Sequence, residues 1–365
     1  MIRMIYSPIV SKAKYTIGSI KTEKKNVKWF EGINSIRIVL ALIVLLGHAK
    51  NPVGTMLRNS NVSLLRYVGA FLGVSFIGIA AVIAFFIISG FVIHYPNRNG
   101  ITDLKKFYIR RYLRVLLPLI VIELMGIPLD HPEKAVVWSL YCELIYYTIY
   151  PLLAYATRIS WTTKVAVAFV ISLTLIALGA NNDILSMVSQ RDLKYIGEYW
   201  QMGIPLTWLV GLPCWLLGVR LAENIENYEA DVSFKKLMFF RTLVFALSVT
   251  AGILRFHFFV SYIISLTILT IPILKWIQIE ICYYRERKAN PLLERWGKFS
   301  YSVYLCHPLI LHFLYNYVDM NVYTYIPYIA CVLAVSYGFY LLLEKPSHLL
   351  AQKLTSYSTR MAIHK

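Results

Sequence analysis

Long apolar stretches separated by short polar connections set the pattern of this chain. Ten of them lie near residues 33–50, 70–94, 112–128, 138–156, 164–180, 204–222, 237–255, 258–277, 298–316 and 324–344. A helix that crosses the hydrocarbon layer of a bilayer needs about 20 mostly apolar residues, so each stretch reads as a transmembrane helix. The third is short, and its ends are the least defined. With the N-terminus inside, the inner segments hold 30 of the 37 Lys and Arg, and the outer ones hold only Lys50, Arg58, Arg66, Lys134, Arg191, Lys194 and Arg255. That asymmetry is a positive-inside signature, and shifting the count by one span scrambles it. The expected fold is an all-α integral membrane bundle of about ten helices with both termini cytoplasmic, a multi-pass protein of the cell (inner) membrane. Residues 1–30 read as a basic cytoplasmic extension, 31–346 as the membrane domain and 347–365 as a cytoplasmic tail.

Composition agrees. Hydrophobic residues make up 58% of the 365 and charged residues 15%, against about 45–50% and about 25% for soluble domains. A net charge of +18 would suggest nucleic acid in a soluble protein; here it records orientation, and no nucleic-acid partner is expected. Five cysteines lie in or beside apolar segments without a CxxC pair, so neither a disulfide framework nor a metal site is expected. The 27 Tyr and 8 Trp suit interfacial belts and an interior that needs polar handles.

Ionisable residues inside such spans are costly and mark candidate sites. In the first span, Arg37 and His48 are eleven residues apart, which returns them to one helix face about 16 Å apart along the axis. Arg37 reads either as an interface anchor or as part of a site. His48 reads either as a satisfied interior histidine or as a general base or nucleophile. Ser89 and Gly90 in Phe85–Phe91 suit close helix packing. Arg110, Arg111 and Arg114 form either a retention signal or a set of guanidinium forks for a polyanion. Trp138, Ser139 and Glu143 open the fourth span and continue into Tyr146 and Tyr147; Glu143 is expected about 8 Å below the outer end of its helix, in the same outer half as His48. His307 is a further buried imidazole, and Cys306 beside it points about 100° away. The connection 181–203 carries Asp183, Arg191, Glu198 and Trp200, a mixture open both to sugar contact and to an ordinary solvated loop.

Together these segments resemble the membrane-bound acyltransferase family 3, which includes O-antigen and exopolysaccharide acetylases. The resemblance runs from about Glu31 to Pro346. It rests on Arg37 and His48 ten residues apart in the intervening sequence, on FFxxSGF at Phe85–Phe91, and on the basic motif Arg110, Arg111, Arg114 with Pro118. It continues with WSLxxE from Trp138 to Glu143, SYSxYLxH from Ser300 to His307, and Glu344-Lys345-Pro346. Two departures stand out: the stretch from Pro118 to Trp138 is short, and Leu144 replaces a second acidic residue.

The resemblance implies transfer of an acyl group, usually acetyl, from cytoplasmic acyl-CoA to a hydroxyl of a surface or exported glycan or lipid-linked saccharide, within membrane lipid. It implies His48 as acyl carrier or base and Glu143 as its partner, with Arg37, Arg110, Arg111 and Arg114 for the donor phosphates. Ser89, Trp138, Ser139, Tyr146 and His307 are assigned to substrate binding or to the structural motif. An acyl-histidine route and direct transfer both stand. A transporter or flippase of a glycan or lipid-linked intermediate is the alternative, and the oligomeric state is open.

Overall fold

The computed structural model describes residues 30–125 and 136–363, and every regular element among them is helical. Fifteen α-helices follow in chain order: α1 Ile33–His48, α2 Pro52–Arg58, α3 Ser63–Val74, α4 Gly78–His94, α5 Leu104–Leu124, α6 Trp138–Tyr155, α7 Trp161–Gly179, α8 Asn181–Ser189, α9 Ile204–Asn224, α10 Phe234–Phe258, α11 Tyr262–Tyr284, α12 Pro291–Trp296, α13 Ser300–Tyr317, α14 Tyr325–Phe339 and α15 Lys345–Ile363. The expected extension before residue 30 lies outside the described residues.

Six helical segments are long and apolar enough to cross a membrane: Ser63–Asn97, Trp161–Gly179, Pro205–Asn227, Phe234–Phe258, Tyr262–Tyr284 and Tyr325–Ser356. A seventh appears if α1 and α2, bent by 50° at their junction, count as one span. Where the structure describes them, all ten stretches read from the sequence fall on helices. Those outside the six segments lie on α1, α5, α6 and α13, the helices that carry Arg37 and His48, the arginine motif, Glu143 and His307. Ionisable side chains and, for α1, a length of 16 residues explain why composition alone does not select them.

Three boundaries differ from the sequence reading. The second stretch is broken at 75–77, between α3 and α4. Asp103 caps α5 by accepting from the Lys106 N–H at 2.9 Å, so the helix starts well before residue 112 and carries all three arginines. The segment read as a tail is α15, docked on α5 by Arg110 Nε to Thr355 Oγ1 at 3.0 Å and Ser347 Oγ to the Leu113 carbonyl at 3.0 Å.

The centre of the bundle is α4. It crosses α9 at Gly90 and Gly218, where a Cβ would collide with the carbonyls of Trp215 and Ile87 respectively. Glycine on both sides lets the two backbones touch, the small-residue packing expected where lipid supplies no hydrophobic drive between helices. With α4 held there, α1 packs along α4 and α13 packs in turn on α1.

Candidate active site

One face of α1 carries Arg37, Ala41, Val44 and His48. Ala41 and Val44 are fully buried, which turns this face toward the bundle with Arg37 and His48 at its opposite ends. The Arg37 end opens into a chamber whose lining includes Arg37, Arg111, Arg114, Phe85, Ser89, Ser139, Glu143, Tyr147, Tyr301 and Tyr304. A second cavity of ≈ 790 Å³ shares Arg37 and Arg114 with it and adds Asn34, Lys298, Glu344, Lys345 and His348. Two guanidinium groups therefore stand at the boundary between two basic compartments.

Inside the first chamber Glu143 is held by hydroxyls. Ser89 Oγ donates to Glu143 Oε1 at 2.5 Å, and the Tyr147 hydroxyl donates to the same oxygen. Trp215 Nε1 in turn donates to Ser89 Oγ at 3.2 Å, so the serine passes one hydrogen bond inward and accepts another. The charges of Arg37 and Arg111 act on the same carboxylate.

His48 sits elsewhere. Its Nδ1 lies 2.8 Å from the Val44 carbonyl and 3.4 Å from His307 Nε2. His307 is fully buried, with its own Nδ1 3.1 Å from the Val303 carbonyl. A carbonyl can only accept, so in the neutral rings each Nδ1 carries the proton. The Nε2 of His307 is then an acceptor facing His48, and the Nε2 of His48 keeps its lone pair. His48 itself is exposed at the end of α1, the end opposite Arg37.

The depth expected for Glu143 is corrected by this packing. A Cβ on Gly78, the first residue of α4, would lie 3.6 Å from His48 Cε1. Ser89, which holds Glu143, is eleven residues further along α4, about 16 Å. Glu143 is therefore level with Arg37 rather than with His48. A residue's distance from its helix start equals its depth only when the helix starts at the membrane face. Helix α6 starts inside the bundle, with Val136, Val137 and Trp138 buried and Trp138 against Phe86.

Other expected residues divide in the same way. Ser139 lines the chamber and its Oγ is 2.7 Å from the Tyr304 hydroxyl. Trp138 stacks on Tyr199, and Tyr146 donates to the Trp208 carbonyl at 2.8 Å while packing on Phe86 and Trp215; both are walls rather than lining. Arg110 turns away to Thr355. Tyr147, Tyr301 and Tyr304 were not singled out as site residues, although Tyr147 follows Glu143 by one helical turn, a spacing that puts both on one face. Glu344, matched only as a motif residue, is buried in a π-helical turn at Tyr340–Glu344 and accepts from Ser302 Oγ at 2.6 Å.

Between chamber and imidazole stand two aromatic rings. Phe85 and Tyr304 meet edge to face at 5.8 Å, and Tyr304 meets the His307 ring at 6.0 Å. The connection 181–203 is tied by its own charges: Asp183 accepts from the N–H groups of Ile196 and Gly197 at 2.9 and 3.1 Å, and Glu198 pairs with Arg255. Burial pushes the Glu198 carboxyl above its ordinary value, against the pull of Arg255. Among the described residues no group of three or more His, Cys, Asp or Glu is placed to hold a metal ion.

Residues 30–343 match a family described as an acyltransferase domain. Curated proteins named "Putative O-acetyltransferase" from Staphylococcus aureus strains COL, MSSA476 and MRSA252 are each 24% identical over 382 aligned positions, covering 87% of this chain and 56% of theirs. The chain thus spans about half the length of the curated relatives it matches. No solved structure matches it.

Proposed function

The chain belongs to this acyltransferase family, and from that premise we propose that it moves an acyl group, most simply acetyl, from acyl-CoA to a hydroxyl of a surface or exported glycan. The observation that carries the reading is the separation along α1 of a basic double chamber around Arg37 from an exposed imidazole at His48.

The topology proposed with it is ten crossings with both termini in the cytoplasm of a cell whose inner membrane holds the protein. The six apolar segments supply six crossings, and α1, α5, α6 and α13 supply four. The inner face then carries the Lys and Arg excess and the mouth formed by Arg37, Arg114, Lys298 and Lys345. Phosphate groups of coenzyme A meet Arg37, Arg111 and Arg114 there, each able to offer paired N–H donors. Arg110, tied to Thr355, is left out of this set.

Chemistry centres on His48 Nε2. In direct transfer it takes the proton of the acceptor hydroxyl as the oxygen attacks the thioester carbonyl. The new C–O bond forms, the C–S bond breaks, and the imidazolium returns its proton to the departing thiolate. In the two-step route Nε2 itself accepts the acyl group, releases the thiol, and passes the acyl group to the hydroxyl. In both, positive charge grows on His48 and is steadied through Nδ1–H by the Val44 carbonyl and His307 Nε2. His307 thus takes the orienting role first expected of Glu143. Glu143 instead sets the electrostatics around Arg37 and Arg111.

The test uses membranes holding wild type or His48→Ala at matched expression, acetyl-labelled coenzyme A and the host's own surface glycan. Alkali-labile label on the glycan with wild type, and none with the variant, is the expected result. Equal label in both overturns the site. Coenzyme A that neither binds nor reacts overturns the activity and brings forward a transporter.

A further inference from the structure

On the other side of α1 lies a third cavity, ≈ 1130 Å³ of empty space between α1, α4, α10 and α11. Its walls use the opposite face of α1, including Ser35, Val39 and Ile43, so that α1 separates it from the acyl-transfer chamber. Along most of its length the lining is apolar: Val39, Leu40, Ile77, Ala80, Val244 and Phe245. The hydroxyls in that stretch already have partners. Ser75 donates to the Phe71 carbonyl at 2.7 Å and Ser248 to the Val244 carbonyl at 2.8 Å. Nothing there asks for a polar ligand. Val39 and Phe245 are 41% and 43% exposed, so the groove opens sideways, onto surface that faces lipid when these helices cross a bilayer.

Polarity is confined to one end, where Arg241, Glu280, Tyr284 and Asn290 gather. Arg241 Nε and Nη2 donate to the two oxygens of buried Glu280 at 2.6 and 3.0 Å, and Nη2 also reaches the Tyr284 hydroxyl at 3.4 Å. Among the described residues its Nη1 has only the Met238 sulfur at 4.0 Å, a weak acceptor. The guanidinium is therefore fixed in place by two bonds while Nη1 keeps strong N–H donors for something else. The side chain is 38% exposed, so those donors are within reach of a ligand.

We propose that this groove holds one membrane phospholipid, its acyl chain along the apolar walls and its phosphate at Arg241 Nη1. A phosphodiester with an aliphatic tail matches both ends: apolar surface takes the tail, and a held guanidinium takes an anionic oxygen. The Arg241 end is the end of α11 that leads to α12, on the same side as Arg37, which places the head group in the cytoplasmic leaflet in the proposed topology. The site is independent of acyl transfer; it requires only that the helices sit in a bilayer. Its occupant fills the space behind α1, the helix that carries Arg37 and His48.

The experiment is native mass spectrometry of the purified full chain in detergent, after addition of phosphatidylglycerol. Wild type keeps a single phospholipid under activation that strips the rest. Val39→Trp, which plugs the groove from a half-exposed wall, loses it, and Arg241→Gln releases it at lower activation. Ile268→Trp, a lipid-facing change 71% exposed and outside the groove, retains it and controls for folding. Adducts that are the same in wild type and Val39→Trp overturn the proposal. So does extraction, from protein purified without added lipid, of a polyprenyl phosphate in place of a glycerophospholipid.

Discussion

His48 Nδ1 and His307 Nε2 lie 3.4 Å apart, and each ring points its Nδ1 at the carbonyl four residues back on its own helix, Val44 at 2.8 Å and Val303 at 3.1 Å. Two helices far apart in sequence thus anchor their imidazoles in the same way, with the ring planes tilted by 48°. The proton on each Nδ1 follows from the carbonyl, and the choice of Nε2 as the proposed reactive nitrogen of His48 follows from that proton.

Loss of the reactive nitrogen is the first consequence. His48→Ala lowers kcat by about 10²–10⁴-fold, the range of a general base, with little change in KM for acyl-CoA. Initial rates over donor concentration separate the two parameters. A raised KM with unchanged kcat would assign His48 to binding.

His307 acts through His48. His307→Leu removes the more distant of the two acceptors of Nδ1–H and leaves the Val44 carbonyl; loss of one such bond to a charged group, at most about 1.5–3 kcal/mol, slows kcat by up to about 10–150-fold. It also shifts the pH profile of kcat, because the imidazolium loses support. His307→Gln, which keeps an acceptor oxygen, recovers part of the rate. A structural role alone would lower active protein and leave the pH profile in place.

Glu143→Gln distinguishes the two carboxylate placements. The carboxylate lies with Ser89, Tyr147, Arg37 and Arg111, so the variant changes KM for acyl-CoA and leaves the pH profile of kcat where wild type has it. A displaced pH profile would return Glu143 to His48.

The arginine motif splits. Arg111→Gln and Arg114→Gln each remove a charge-assisted donor from the chamber and raise KM for acyl-CoA about 10–100-fold, more steeply at low salt. Arg110→Gln leaves KM unchanged and loosens α15, whose Thr355 it holds, at about 1 kcal/mol. Thermal unfolding in detergent reads the latter.

Gly218→Ala tests the centre of the bundle. The added methyl meets the Ile87 carbonyl, so α4 and α9 must separate, at a cost of about 1–3 kcal/mol or more. Reduced thermostability is expected; an unchanged melting temperature would show that the crossing tolerates movement.

Much of this site was legible in the sequence because its residues are dear to bury. Arg37 and His48 on one face, the arginines, Glu143 and His307 all stand out as polar groups in apolar stretches. What was not legible is which of them meet. Counting from the start of its helix puts Glu143 at the depth of His48, but α6 starts within the bundle, where Trp138 packs on Phe86. Arg110 and Arg111 are adjacent in sequence and diverge because α15 takes one of them. The pairing of His48 with His307 depends on where α13 docks along α1, which no local pattern records. The third cavity left no trace in the pattern, since empty space between helices is a property of their packing.

Phe85 and Tyr304, edge to face at 5.8 Å, carry a last consequence. Basic compartments that admit water from one side and an imidazole open to the other would short-circuit a membrane that stores energy as a voltage. These two rings, backed by buried His307, are the insulation between them. In the proposed topology and reaction, each turnover would carry an uncharged acyl group past that insulation while leaving ions behind, so what the protein keeps from crossing would matter to its cell as much as what it transfers.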